Sequence, residues 1–315
     1  MSKADNRLKG RTGQGLMYLQ GDIEIPLIDA NGNALSYVGG KVYYVEANDG
    51  SDTADGLSWD TAFKTLTVAL AASHANIATG SATWASRNRI YYKGDNAEAA
   101  AEDIVKLADK TDVIGVGSFD HNPRPMLIGN HLVVGTYMGT RFFNMGFRAP
   151  AAGGVVVTIP TTCSGIEFYG CVFSGRNTTP GTKGLLATAV EQLKVIGCSF
   201  VGKFSTNALE IGAGASNGLR IEDNDIESGA IGIVVSSTAT CAAEIGKILN
   251  NKIYATTLVI DENSNKMVVG GNRCVTLAAN TLALILDYNS ALAYDNSITD
   301  STVTATYPVL GTCAS

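Results

Sequence analysis

Between residues 140 and 299 an eight-residue arrangement of apolar and polar positions returns seven times. The copies are TRFFNMGF (140–147), IEFYGCVF (166–173), LKVIGCSF (193–200), LRIEDNDI (219–226), GKILNNKI (246–253), MVVGGNRC (267–274) and ALAYDNSI (291–298). Their last positions, Phe147, Phe173, Phe200, Ile226, Ile253, Cys274 and Ile298, are spaced by 26, 27, 26, 27, 21 and 24 residues. Positions 1, 3 and 8 are mostly apolar, and positions 4 and 5 often hold Gly, Asn or Asp. Alternation followed by such a pair predicts a short strand, a tight corner and a second strand. A third strand fits between copies, at GVVVTI (154–159), GLLATAV (184–190), NALEI (207–211), AIGIVV (230–235), TTLVI (256–260) and TLALIL (281–286). Three strands in a period near 25 residues describe one coil of a parallel β-solenoid. A helical repeat would need unbroken windows of period 3.6, and these segments are too short and too β-branched.

Position 6 is the most informative column: Met145, Cys171, Cys198, Asn224, Asn251, Asn272 and Asn296. Stacked asparagines lie about 4.8 Å apart at the strand spacing. Each amide then donates to one rung and accepts from another, so an inward polar group is satisfied instead of costing a few kcal/mol. Cys171 and Cys198 share the column one rung apart, within the Cα window of a disulfide, but stacked parallel rungs give poor dihedrals for that bond. Free thiols are expected. Less regular rungs precede the repeats, at 88–94, 112–118, 125–129 and 131–135; residues 95–111 read as a short surface helix or loop. About nine to eleven rungs make a rod on the order of 50 Å long. Residues 301–315 are expected to close its far end.

The asparagine corner resembles the right-handed parallel β-helix of the pectin-lyase-like superfamily. The segment KVYYVEANDGSDTADGLSWDTAFKTLTVAL (41–70) resembles the opening module of many such proteins, especially phage spike and virion proteins. That resemblance implies an all-β right-handed parallel β-helix over 41–300, with a capping helix near 60–73. Ala62, Leu66, Ala69 and Leu70 would share the buried face, and Asp60 would be the N-cap. The helix would hide the first rung, whose free backbone edge would otherwise template aggregation. The resemblance also implies a homotrimer.

Composition narrows the classes. The chain has 315 residues, 45% apolar and only 17% charged, with 35 glycines, which excludes a disordered chain. A net charge of −6 speaks against nucleic-acid binding. No apolar run reaches the roughly 18 residues of a membrane span, and no secretory signal is expected in the first twenty. Residues 1–15 carry Lys3, Arg7, Lys9 and Arg11 against Asp5, a sum of +3 that leaves −9 for the remainder. With the alternating segment to residue 40, they are read as an anchoring arm that docks on a capsid or other virion protein.

Candidate chemistry is sparse. A glycosidase needs two carboxylates about 5–9.5 Å apart, which on a solenoid means Asp or Glu in one outward column. Position 2 reads Glu167, Lys194, Arg220, Lys247, Val268, Leu292, and position 7 reads Val172, Ser199, Asp225, Lys252, Arg273, Ser297. Carboxylates therefore stack beside bases. The cluster Glu222, Asp223, Asp225 and Glu227 reads as a solvated face, Asp49 and Asp52 as turn formers and not calcium ligands, and His121 as structural. Tyr91, Tyr92, Tyr137, Phe142, Phe143, Tyr169 and Tyr254 are assigned to core or subunit contacts. Neither Trp59 nor Trp84 suggests a sugar platform. No catalytic residue, cofactor or metal is expected. The reading is a non-enzymatic virion protein, a trimeric capsid decoration or head spike made in the host cytoplasm. The alternative is a tail spike that binds or cleaves host polysaccharide.

Overall fold

A computed structural model of the chain describes residues 40–77, 86–94, 102–117, 125–148, 153–175, 180–236, 239–240, 244–262, 267–276, 284–286, 292–300 and 303–309. Three long sheets wrap one interior. Ten strands form the first face, from Val42–Glu46 to Leu292–Tyr294. Nine form the second, from Met126–Ile128 to Val303–Val309, and seven the third, from His131–Leu132 to Leu284–Leu286. Except for Val303–Val309, each strand of these faces pairs in parallel with its counterpart one coil away, as in Val172↔Ser199, Lys194↔Arg220 and Leu209↔Ile233. Crossovers between parallel neighbours in one sheet are right-handed for steric reasons, and the fold is the right-handed parallel β-helix. The ten strands described on the first face fall within the nine to eleven rungs expected.

The repeat positions fall where period-2 geometry puts them. Position 3 (Phe142, Phe168, Val195, Ile221, Ile248, Val269) and position 8 (Phe147, Phe173, Phe200, Ile226, Ile253, Cys274) are buried. In the early coils the filling is aromatic: Phe142 stacks on Phe168 at 5.2 Å, and Phe173 on Phe200 at 4.5 Å. Position 5 explains the corner. Asn144, Gly170, Gly197, Asp223, Asn250, Gly271 and Asp295 all have φ between 49° and 64°, the left-handed region that Gly, Asn and Asp tolerate best.

The start of the rod departs from expectation in two ways. The helix is Leu66–Asn76, and its N-cap is Thr65, whose hydroxyl accepts from the Val68 N–H at 3.3 Å. Asp60 lies too far upstream. Asp52 supplies the carboxylate instead, accepting from the Lys64 and Thr65 N–H groups at 3.0 and 2.8 Å. Secondly, the first strand's outer edge is paired by the loop, not hidden by the helix. Tyr44 N–H donates to the Gly56 carbonyl, Phe63 N–H to Tyr44 and Glu46 N–H to Phe63, at 2.8 to 2.9 Å. Gly56 must be glycine: its φ is +69°, and a Cβ would sit 2.2 Å from the Phe63 ring. The helix has a different task. The first three strands of the first face precede any strand of the other two, so Leu66, Ala69, Leu70 and Ser73 fill the interior that later coils close with sheet.

Residues 102–110 form neither helix nor strand, as the loop alternative has it, but Ile104, Leu107 and Ala108 are buried instead of lying on the surface, and Thr111 already belongs to the strand Thr111–Gly115; residues 95–101 lie outside the described residues. At the far end Val303–Val309 runs antiparallel to Asn296–Asp300, covering the edge of the second face. The proposed arm, with Lys3, Arg7, Lys9 and Arg11, lies outside the described residues.

Candidate functional site: the amide corner and the charged outer face

At the corner between the first and second faces the asparagines stack. The Asn224 Nδ2 donates to Asn251 Oδ1 at 2.8 Å, Asn251 to Asn272 at 2.9 Å, and Asn272 to Asn296 at 2.8 Å. Each Nδ2 also donates to a main-chain carbonyl, of Val195, Ile221, Ile248 and Val269 in turn, at 2.9 Å. Each Oδ1 accepts the N–H of the preceding column member, beginning with Cys198 at 2.8 Å. The ladder therefore satisfies three polar groups per rung in the buried interior.

Cys171 and Cys198 occupy the same slot and are free thiols. Their Sγ–H groups point at the Phe142 and Phe168 carbonyls at 3.5 Å, the acceptors an asparagine would use there. Burial pushes the Cys198 thiol well up, helped by Cys171, and burial drives Cys274 up to about 12. These sulfurs are packing atoms, not nucleophiles.

The first face turns two columns outward. One reads Arg89, Asp112, Arg141, Glu167, Lys194, Arg220, Lys247. Asp112 accepts from Arg141 Nε and Nη2 at 2.7 Å each, and from Arg87 Nη1 at 2.8 Å. Lys194 Nζ donates to Glu167 at 2.7 Å, and Arg220 Nε donates to Glu222 at 2.9 Å. The hydrogen bond to Asp112 raises the Arg141 pKa further. Asp112, Glu167 and Glu222 are thus each held as ion-pair acceptors.

The second outward column is one that sequence reasoning assigned incompletely. Tyr44, Tyr91, Ile114, Phe143, Tyr169 and Ile196 lie in register and half-buried. Tyr92, Tyr137 and Phe142 are in the core as expected, whereas Tyr91, Phe143, Tyr169 and Tyr254 face outward. Phe143 and Tyr169 stack at 5.1 Å with planes 9° apart, and Tyr44 and Tyr91 at 5.8 Å. Rings stacked along the column spend their faces on one another and show solvent their edges. A sugar ring needs a free aromatic face, so this stripe is not a platform for one. The missed signal was the alternation itself: Tyr91 and Tyr92 are neighbours and must point opposite ways.

Elsewhere the acidic residues are dispersed. Glu222 is buried against Arg220, Asp225 faces Lys252 at 3.7 Å, and Asp223 and Glu227 are exposed. Among the described residues no group of three His, Cys, Asp or Glu side chains could hold a metal ion, and no helix is long and apolar enough to cross a membrane. Trp59 is 42% exposed and packs edge-on against Tyr44 at 4.9 Å. His121 and Trp84 lie outside the described residues.

No family model matches the chain, and no curated protein is similar to it at a significant level. Among solved structures it is similar to a rhamnogalacturonan lyase, at 11% identity and TM-score 0.41, covering 76% of this chain and 71% of that one. It is also similar to the deglycosylated pectin methylesterase from Aspergillus niger, at 15% identity and TM-score 0.43, covering 85% of this chain and 91% of that one. The fold described above rests on the chain's own strand register, and the activities in those names belong to those proteins.

Proposed function

We propose that this protein is a structural rod of a bacteriophage particle, a decoration or head-spike component anchored through residues 1–40 and assembling as a homotrimer. The observation that carries the non-enzymatic part is the neutralised outer face, where Asp112, Glu167 and Glu222 are each locked to a guanidinium or ammonium group. The opening module supports the virion part. Strand Val42–Glu46, a hydrogen-bonded Asp-Gly loop and the plugging helix follow one another as in the phage proteins the segment resembles. The described part of the rod begins at this end, where the Lys41 N–H donates to Asn88 Oδ1 at 2.6 Å, and Leu57 and Trp59 of the same module are exposed.

The test is imaging of intact particles carrying full-length protein or a variant lacking residues 1–15. Attachment should vanish in the variant while its purified rod keeps the full-length melting temperature. Unchanged occupancy would refute the arm. Turnover of a capsule or O-antigen polymer by purified protein would instead establish the polysaccharide-cleaving alternative.

A further inference from the structure

A clasp lies between the plugging helix and the first complete coil. Residues 102–110 run beside the coil 126–138 and bind it at several points. Glu102 N–H donates to the Ile128 carbonyl at 3.0 Å, and Asp103 Oδ1 accepts from Asn130 N–H at 2.8 Å. Val134 N–H donates to Val105 at 2.9 Å, and Thr140 Oγ1 to Ala108 at 2.6 Å. Glu102 also grips the helix start: its Oε1 accepts the Thr67 N–H at 2.6 Å and its Oε2 the Leu66 N–H at 3.3 Å. The strap thus ties the helix to the coil that carries His131–Leu132, the third face's first strand.

The centre of the strap is held by one imidazole. Ile104 N–H donates to His131 Nδ1 at 3.1 Å. An accepting Nδ1 fixes the neutral tautomer with the proton on Nε2. That Nε2 is buried with no hydrogen-bond partner of ordinary geometry, and the Leu127 backbone beside the ring is a smaller influence on it than burial. The ring packs edge-on against Phe147 at 5.5 Å, and His131 is 2% exposed. The site accepts neutral histidine and penalises the cation twice. A second proton on Nδ1 removes the Ile104 acceptor, and the charge has no solvent.

We propose that His131 is an acid-sensitive latch: protonation breaks the Ile104 bond, frees the 102–108 strap and loosens the helix that plugs the rod. Asp103 is the facing carboxylate and favours protonation, but burial outweighs it and pushes the His131 pKa down to about 4. Arg148 follows Phe147 on its strand and so points to the opposite side. Glu102, Lys106 and the His74–Asp109 pair, 3.6 Å apart at the strap's other end, are further ionisable groups on or against the strap. With the closed-state pKa depressed, the closed strap binds fewer protons than the open one. Its stability is complete above the ordinary 6.5 and is lost as pH falls toward 4. Between pH 7 and pH 5 the open fraction should rise about 20-fold, and by pH 4 about 100-fold.

The experiment is amide hydrogen exchange on the full chain, normalised for intrinsic pH dependence, comparing wild type with His131→Asn, whose Oδ1 can stand in for Nδ1 without titrating. Protection over 102–108 and 66–70 should fall about 20-fold in wild type from pH 7 to 5 and stay level in the variant. A level wild type, or an equal fall in both proteins, overturns the latch. Direct NMR titration of His131 in the unmodified protein covers the case in which the variant misfolds. Ring protonation near the ordinary value, with the Ile104 amide unmoved, overturns it equally.

Discussion

Truncating Asn251 to alanine isolates the contribution of one rung of the ladder. Its Oδ1 accepts from Asn224 N–H at 3.0 Å and from Asn224 Nδ2 at 2.8 Å, and its Nδ2 donates to Ile221 and Asn272 at 2.9 Å each. On truncation Asn224 Nδ2 keeps the Val195 carbonyl and Asn272 Oδ1 keeps the Asn251 N–H. The Asn224 N–H loses its side-chain acceptor and the Ile221 carbonyl its amide donor. An unsatisfied buried group costs about 1–3 kcal/mol, so two groups and a small cavity cost roughly 3–4 kcal/mol. Equilibrium urea unfolding followed by circular dichroism measures this, with exposed Lys247→Ala as a control expected within about 0.5 kcal/mol. Asn251→Asp separates hydrogen bonding from shape. Its carboxylate keeps both acceptor functions but faces two oxygens, so burial and those oxygens raise its pKa in the fold. The protonated acid can donate, and stability should therefore fall as pH rises from 4 to 7. If Asn251→Ala costs no more than the Lys247 control, the ladder does not hold the rungs together.

Two further outcomes follow from the same geometry. Cys198→Asn should stabilise the rod by about 1 kcal/mol, because the new amide finds the Phe168 carbonyl and Asn224 Oδ1 already placed; a lower urea midpoint would show that the slot beside the phenylalanines is too tight. Asp112→Asn should cost about 1–2 kcal/mol, limited by guanidinium groups that are about one-third exposed, and the difference from wild type should shrink in high salt.

The coils and their register were legible in the sequence because a β-helix writes its period into a short window. Position 5 demands a left-handed backbone, position 6 holds asparagine or cysteine in every copy after Met145, and both are visible within a short window of sequence. The helix cap was misplaced because a carboxylate 13 residues upstream, Asp52, binds Thr65 N–H across a folded loop, which no local capping pattern reports. The inward or outward choice for Tyr91, Phe143 and Tyr169 was available from alternation. The stacking of Phe143 on Tyr169, set by the neighbouring rung 26 residues away, was not. The strap at 102–108 was hidden for a similar reason: it has no periodicity, and its order comes from Glu102, Asp103 and the His131 imidazole.

The ladder's limits have a cause in the core beside it. Asparagine begins at 224, one coil after the phenylalanine column ends at Phe200 and Ile226 takes its place. Where Phe147, Phe173 and Phe200 stack directly, rung-to-rung cohesion comes from ring contacts worth about 0.5–1.5 kcal/mol each, and the corner slot needs only Met145 or a thiol. In the coils of Ile226 and Ile253 the interior supplies less directional contact between rungs. There the amide stack takes over register, since slipping one coil against the next would break two or more hydrogen bonds at Asn251 alone. The rod therefore uses two means of alignment along its length. Replacing Phe173 should loosen the first half without disturbing Asn251, and replacing Asn251 should loosen the second without disturbing Phe173, as expected when each repeat contacts only its neighbours.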